Sequence, residues 1–189
     1  MSDKSTQELP TSVGLRGRLC YGQNLTEMSE AGRFEVSFIV KKSEPKLEIL
    51  RQMIDAKILE TFGTKPPKGL LTPIKDCDEK RDDGSFKHRD PAFRDHVLIR
   101  AKSKFAPQCY ARDADGSKAR VDADMFASGD DVVVAVDCWT YSVQGNSGVS
   151  CGLQAVLLVT KGSRPIGGSG GSGASAIDDA LDGLEIEVD

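Results

Sequence analysis

DVVVAVDCWTYSV, residues 131–143, is the stretch whose alternation decides the fold. Val132, Val134, Val136 and Cys138 fall on one face, and Asp137, Trp139 and Tyr141 on the other. β-Branched and aromatic residues at a period of two predict a strand with one face in a core. Gln144–Gly148 (QGNSG) predicts a turn, and Val149–Thr160 (VSCGLQAVLLVT) a final strand beyond it. Towards the N-terminus, His96–Phe105 alternates again: Val97, Ile99 and Ala101 point inward, while Arg100, Lys102 and Lys104 share the other face. Cations on every second residue make a basic stripe spaced about 7 Å, twice the strand rise.

Arg33–Lys42 (RFEVSFIVKK) sets Phe34, Val36, Phe38 and Val40 against Arg33, Glu35 and Ser37, which predicts a half-buried strand. Val13–Gly22 alternates more loosely, with Leu15, Leu19 and Tyr21 opposite Arg16, Arg18 and Cys20. Ser43 can cap a helix over about 44–62 that opens with Glu44-Pro45. Leu47, Leu50, Ile54 and Ile58 recur on one of its faces, and Gly63 ends it. Thr64–Pro91 and Ala106–Met125 read as loops, with Asp115-Gly116 marking a turn. About five short strands, long loops and one substantial helix predict a mainly β protein built as a small β-barrel.

The 189 residues are 39% apolar, and 19 glycines complete the share usual for one globular domain. No stretch approaches the roughly 20 apolar residues of a membrane-spanning helix, and Met1–Pro10 is polar and mixed in charge. A soluble chain with no secretion signal is expected. Five scattered cysteines (Cys20, Cys77, Cys109, Cys138, Cys151) without a C-x-x-C pair read as reduced, mostly buried thiols.

The net charge of −4 is unevenly distributed. Pro165–Asp189 holds six acids and no base, whereas Lys87–Arg112 holds seven bases against two acids. Ile166–Ser175 (IGGSGGSGAS) has the composition of a flexible linker. The expected organisation is a loose N-terminus over 1–12, a folded body over 13–165, and a linker with an acidic tail over 166–189.

Two outward strand faces make the leading candidate site. Arg100, Lys102 and Lys104 can neutralise phosphates, and Trp139 and Tyr141 can stack on bases, which requires that the bases be unpaired. The alternative puts Trp139 and Tyr141 in the core, but the valines already supply an apolar face and Asp137 shares the face of Trp139. A second candidate is a Mg²⁺-dependent nuclease using Asp76, Asp78 and Asp82 of DCDEKRDDG. Lys80 and Arg81 spoil that stretch as a calcium loop. Cys77, His88, His96 and Cys109 match no common zinc spacing, and no nucleophile with a recognisable base is present. No metal and no cofactor is expected. A third class, a protein-binding adaptor with an acidic recruiting tail, would bind no nucleic acid.

The order of several segments resembles a family of bacteriophage single-stranded-DNA-binding proteins. RFEVSFIVKK is followed by LLTPIKDCDEKRDD, HVLIRAKSKFAP, CWTYSVQGNSG and SCGLQAVLLVTKGSRPIGG, and then by an acidic end. The resemblance rests most on Thr72-Pro73-Ile74-Lys75-Asp76, on Ala101, Ser103 and Lys104, on the pair Trp139 and Tyr141, and on Asn146, Gly148, Cys151, Gly152 and Leu153. It implies an OB-fold barrel that coats single-stranded DNA without sequence preference during phage replication or recombination, in the cytoplasm of a bacterial host. It implies stacking by Trp139 and Tyr141 and phosphate contacts by Lys102 and Lys104; Arg100 joins them on strand parity alone. It also implies an acidic tail that recruits replication or recombination proteins and competes with DNA. Many such relatives end in an aromatic residue, whereas this chain ends Ile186-Glu187-Val188-Asp189, which bears on which partner the tail meets. A homo-oligomer is compatible with the resemblance, and no membrane partner is implied.

Overall fold

A computed structural model describes residues 8–143 and 145–167. Eight strands and one helix follow in the order β1 (Val13–Asn24), β2 (Phe34–Lys41), α1 (Pro45–Phe62), β3 (Ile74–Asp76), β4 (His96–Ser103), β5 (Gln108–Arg112), β6 (Lys118–Arg120), β7 (Asp131–Val143) and β8 (Asn146–Thr160). Five of them close on themselves in the order β1-β2-β4-β8-β7-β1. The β4–β8 pair is parallel and the other four pairs are antiparallel. This is the small five-stranded barrel the alternation pointed to, and it is OB-like as the resemblance implied.

The parallel seam is short, with only Ala101↔Cys151 and Lys102↔Gly152 in register. Each end of the seam is filled by another segment. At one end β3 pairs with β4 through Ile74↔Ile99, and Leu71 bridges to Gly148. At the other, β5 runs parallel to β8 from Gln108↔Ala155 to Ala111↔Leu158 and carries β6 as a hairpin. The supposed loops 64–91 and 106–125 therefore contain three short strands. β3 and β5 pair with strands well separated in the chain, and β6 forms only as the hairpin partner of β5, so local composition gave no sign of them.

The inward faces of β2, β4 and β7 are apolar as their parity predicted; on β1 Leu15 and Leu19 follow it, while Tyr21, grouped with them, packs against an outer cluster after a break in register. Leu15, Leu19, Val36, Phe38, Val40, Val97, Ile99, Ala101, Val132, Val134, Val136, Cys138, Cys151 and Leu153 are buried together. Leu47, Leu50, Met53 and Ile54 of α1 join that core. The helix is capped by Glu44, whose carboxylate accepts from the Lys46 amide, and not by Ser43. Pro45 is the reason: it fixes its own φ for the first helical turn and pushes the residue before it into extended backbone, and Glu44 has φ −66 and ψ 116.

Strand β2 is buried on both faces, not on one. Ile39 lies with Cys20, Cys77, Phe93, Leu98 and Ile166 in a second apolar cluster outside the barrel. That cluster forms because the segment after β3 and the segment after β8 fold over the outer faces of β1, β2 and β4. The packed body thus runs past Pro165. Ile166 is fully buried, its carbonyl accepts from the Tyr21 amide at 2.8 Å, and Ser128 bonds both its carbonyl and its amide. Arg164 fastens this strap to Asp90 with two bonds of 2.9 Å. The acidic stretch beyond Gly167, like residues 1–7, lies outside the described residues. All five cysteines are reduced and buried.

Candidate nucleic-acid interface

The candidate site follows from what β8 carries on its outer face. Val149, Cys151 and Leu153 point into the core, so Gly148, Ser150 and Gly152 point out. Their neighbours across β7 are Tyr141, Trp139 and Asp137 respectively. On the other side, β4 brings Lys102 level with Gly152 and Arg100 one outward position earlier. From Gly148 to Gly152 the strand bears only small outward residues, flanked by cations on one side and rings on the other. The result is a trough.

The trough needs glycine at two places. A Cβ on Gly152 would stand 2.0 Å from Oδ1 of Asp137, and one on Gly148 would stand 2.7 Å from the Tyr141 hydroxyl and 2.6 Å from the Leu71 carbonyl oxygen. Both side chains lean across β8 into space that only glycine leaves free. Asp137 is fixed there by Gln154, which donates to its Oδ2 at 2.6 Å.

Trp139 and Tyr141 are half-buried and face outward, their ring centroids 5.9 Å apart and tilted by 58°. Lys102 Nζ lies 5.8 Å from the Trp139 ring centroid, within cation–π reach. Arg100 is exposed, and its Nε is 3.4 Å from Ser37 Oγ of β2. Arg100, Lys102, Tyr141 and Ser150 line one cavity of about 240 Å³ with Leu71, Thr72, Pro73 and Lys75. The structure therefore brings together four of the five expected residues: Arg100, Lys102, Trp139 and Tyr141. Lys104 is exposed in the turn after β4, outside the strand whose parity had grouped it with the other two.

Lys75 was missed. It stands opposite Leu98 on β3, on the face away from Ile74, and closes one side of the cavity. In the sequence Lys75 belongs to the family pattern Thr72–Asp76 alone, and the pairing of β3 with β4 gives that pattern a physical role. Much of the basic stretch 87–112 serves the scaffold instead. Arg94 stacks 3.5 Å from the Phe86 ring centroid and donates to the His88 carbonyl, Lys87 pairs with Glu79 at 2.5 Å, and Arg112 donates to the Gly116 carbonyl at 2.6 Å.

The acidic stretch 76–83 is also occupied. Asp76 and Asp78 each lie 2.7 Å from Lys42 Nζ, and that ammonium holds both carboxyls below their ordinary range. Asp78 further accepts from the Asp95 amide, and Asp83 from the Ser85 amide and hydroxyl. Cys77 and Cys109 lie in separate buried clusters, so the four residues weighed for zinc do not converge. Among the described residues no group of three or more His, Cys, Asp or Glu is placed to hold a metal ion.

A family model described as Enterobacter phage Enc34, ssDNA-binding protein, matches residues 18–183. Among solved structures, the single-stranded DNA-binding protein from bacteriophage Enc34 in complex with ssDNA superposes with a TM-score of 0.66 at 15% identity, covering 83% of this chain and 90% of that one. The same phage protein without DNA gives 0.64 at 16% identity, with coverages of 91% and 90%. The single-stranded DNA binding protein gp2.5 of bacteriophage T7 gives 0.54 at 14% identity, with coverages of 94% and 97%. No curated protein matches the sequence. At such identities the superpositions speak to the fold, while the family match speaks to kinship.

Proposed function

The chain belongs to the Enterobacter phage Enc34 ssDNA-binding protein family, and from that premise we propose that it coats single-stranded DNA along the β8 trough, without base preference and without catalysis. The observation that carries this reading is the arrangement across β8: Arg100 and Lys102 on one flank, Trp139 and Tyr141 on the other, and small residues between them. Cations beside the trough attract phosphates and release their counterions. The rings offer faces on which any unpaired base can stack, and a base already paired and stacked in a duplex cannot use them. Lys75 adds a third cation at one end, and Lys104 extends the basic line at the other.

Binding without catalysis accords with the ion pairs of Asp76 and Asp78. Their carboxylates are committed to Lys42 and to loop geometry. A nuclease using Asp76, Asp78 and Asp82 would have to break those bonds before holding Mg²⁺. Among the described residues no helix is long and apolar enough to cross a membrane. The host cytoplasm, where phage DNA is copied and recombined, is the setting this function needs. The acidic residues after Gly167 would recruit replication or recombination proteins and compete with DNA for the cations.

Replacing Trp139 tests the reading directly. Trp139→Ala should weaken binding to an unpaired oligonucleotide by about 1–3 kcal/mol and leave weak duplex binding little changed. A folded variant with undiminished single-strand affinity would remove Trp139 from the interface. Four phosphate contacts, from Lys75, Arg100, Lys102 and Lys104, should give a salt slope of about −3 in log K against log salt.

A further inference from the structure

We propose that the DNA track does not end at Lys102 but continues along β8 to a second ring-and-cation station formed by Phe105, Tyr110, Lys118 and Arg120. This rests on the β8 trough being the DNA site, and it extends that site by residues that neither parity nor family pattern singled out.

The continuation follows from strand order. Leu71, β4 and β5 meet the same edge of β8 in succession, at Gly148, at Cys151–Gly152 and at Ala155–Leu158. β4 and β5 both run parallel to β8, so the turn between them lies alongside Leu153 and Gln154. Phe105 sits in that turn and is 81% exposed, although a phenylalanine ring gains most by burial. Its amide is fixed by Ser103 Oγ at 3.0 Å, which makes the turn a defined one.

One register step further, Cys109 points into the core beside Val156, so Tyr110 points out beside Leu157. Lys118 Nζ lies 5.7 Å from the Tyr110 ring centroid, and the Arg120 guanidinium carbon 5.8 Å. This repeats the pairing of Lys102 with Trp139 on the same outer face. The acids nearest in sequence are Asp122, exposed two positions beyond Arg120, and Asp113 and Asp115, whose carboxylates accept from the Ser117 amide at the hairpin tip. From Gly148 to Leu157 the outer face of β8 spans about 30 Å at the usual strand rise, and Gln154 is exposed midway. Sites on a single barrel of this class accommodate about 4–16 nucleotides. The first station alone suits the short end of that range, and the full track the long end.

The test compares thymidine oligonucleotides of about 4 and about 16 nucleotides, titrated with the strand in excess so that one protein occupies each strand. Phe105→Ala/Tyr110→Ala should lose about tenfold or more in affinity for the longer strand and stay within about twofold of the parent on the shorter one. Lys118→Gln/Arg120→Gln leaves the rings in place and should reduce the salt slope on the longer strand by about 1.4. Thermal melting checks that each variant is folded, and the charge variant supplies the answer if the ring variant is not. Unchanged affinity and slope on the longer strand, or an equal loss on both lengths, would overturn the proposal. So would a loss of self-association alone, since the station would then serve a second copy of the chain. Trp139→Ala is the control that separates the two claims. It should weaken both lengths. If it weakens neither, the trough itself is misplaced; if it weakens both while the station variants change nothing, only the extension fails.

Discussion

Gly152 shows how little room the trough has to spare. A methyl there would stand 2.0 Å from Asp137 Oδ1, so Gly152→Ala must displace the carboxylate from the position in which Gln154 holds it. The expected result is a loss of about 1–3 kcal/mol in urea unfolding, together with weaker single-strand binding as the floor rises. Affinity and stability both at parental values would show that Asp137 yields without consequence. At this scale the sequence was legible where alternation is strong. Period two put Trp139 and Tyr141 outside and the valines inside because a strand admits no third option. Lys75 was illegible because its orientation is set by pairing with Leu98, 23 positions away in the chain. Arg94 and Lys87 looked like members of a binding stripe, but charge alone does not distinguish a cation aimed at solvent from one committed to a ring or a carboxylate.

At the scale of elements, the strap from Lys161 to Gly167 is held by two ion pairs, Lys161 with Asp130 and Arg164 with Asp90, and by one apolar plug, Ile166. Arg164 holds the Asp90 carboxyl at about 2, below its ordinary 3.8. A depressed carboxyl stabilises the folded state fully above its unfolded pKa, and that contribution fades as pH falls towards the folded value. Asp90→Asn should therefore melt below the parent at neutral pH, with the gap closing between about pH 4 and pH 2. A gap that is constant across that range would mean the pair contributes nothing through its charge. The strap also explains why β2 read as half-buried. Its outer residue Ile39 is covered by Phe93 and Ile166, from segments whose glycine, proline and charge content resembles open loop. Helix α1 was legible because its apolar spacing and its Pro45 start are local, whereas β3, β5 and β6 are three to five residues each and exist only because the β4–β8 seam opens at its ends.

At the scale of the whole molecule, removing residues 168–189 deletes six acids and no base, taking the net charge from −4 to +2. The shortened chain should fold as before and bind single strands more tightly at low salt, the difference vanishing as salt screens it. Weaker binding after that cut would make the removed residues part of the interface. The cut belongs after Gly167, because removing Pro165 onward would also take Ile166 from the second apolar cluster. The distance between the trough's walls is the remaining global quantity. β4 and β7 flank a single strand, so their outward side chains rise from backbones about 10 Å apart, two inter-strand spacings. That gauge comes from backbone hydrogen bonding and not from any side chain, so mutation can change the lining of the lane but hardly its width. A polymer travelling in it must go in single file, with a partner strand stripped off beforehand, and the protein would recognise solitude before it could recognise spelling.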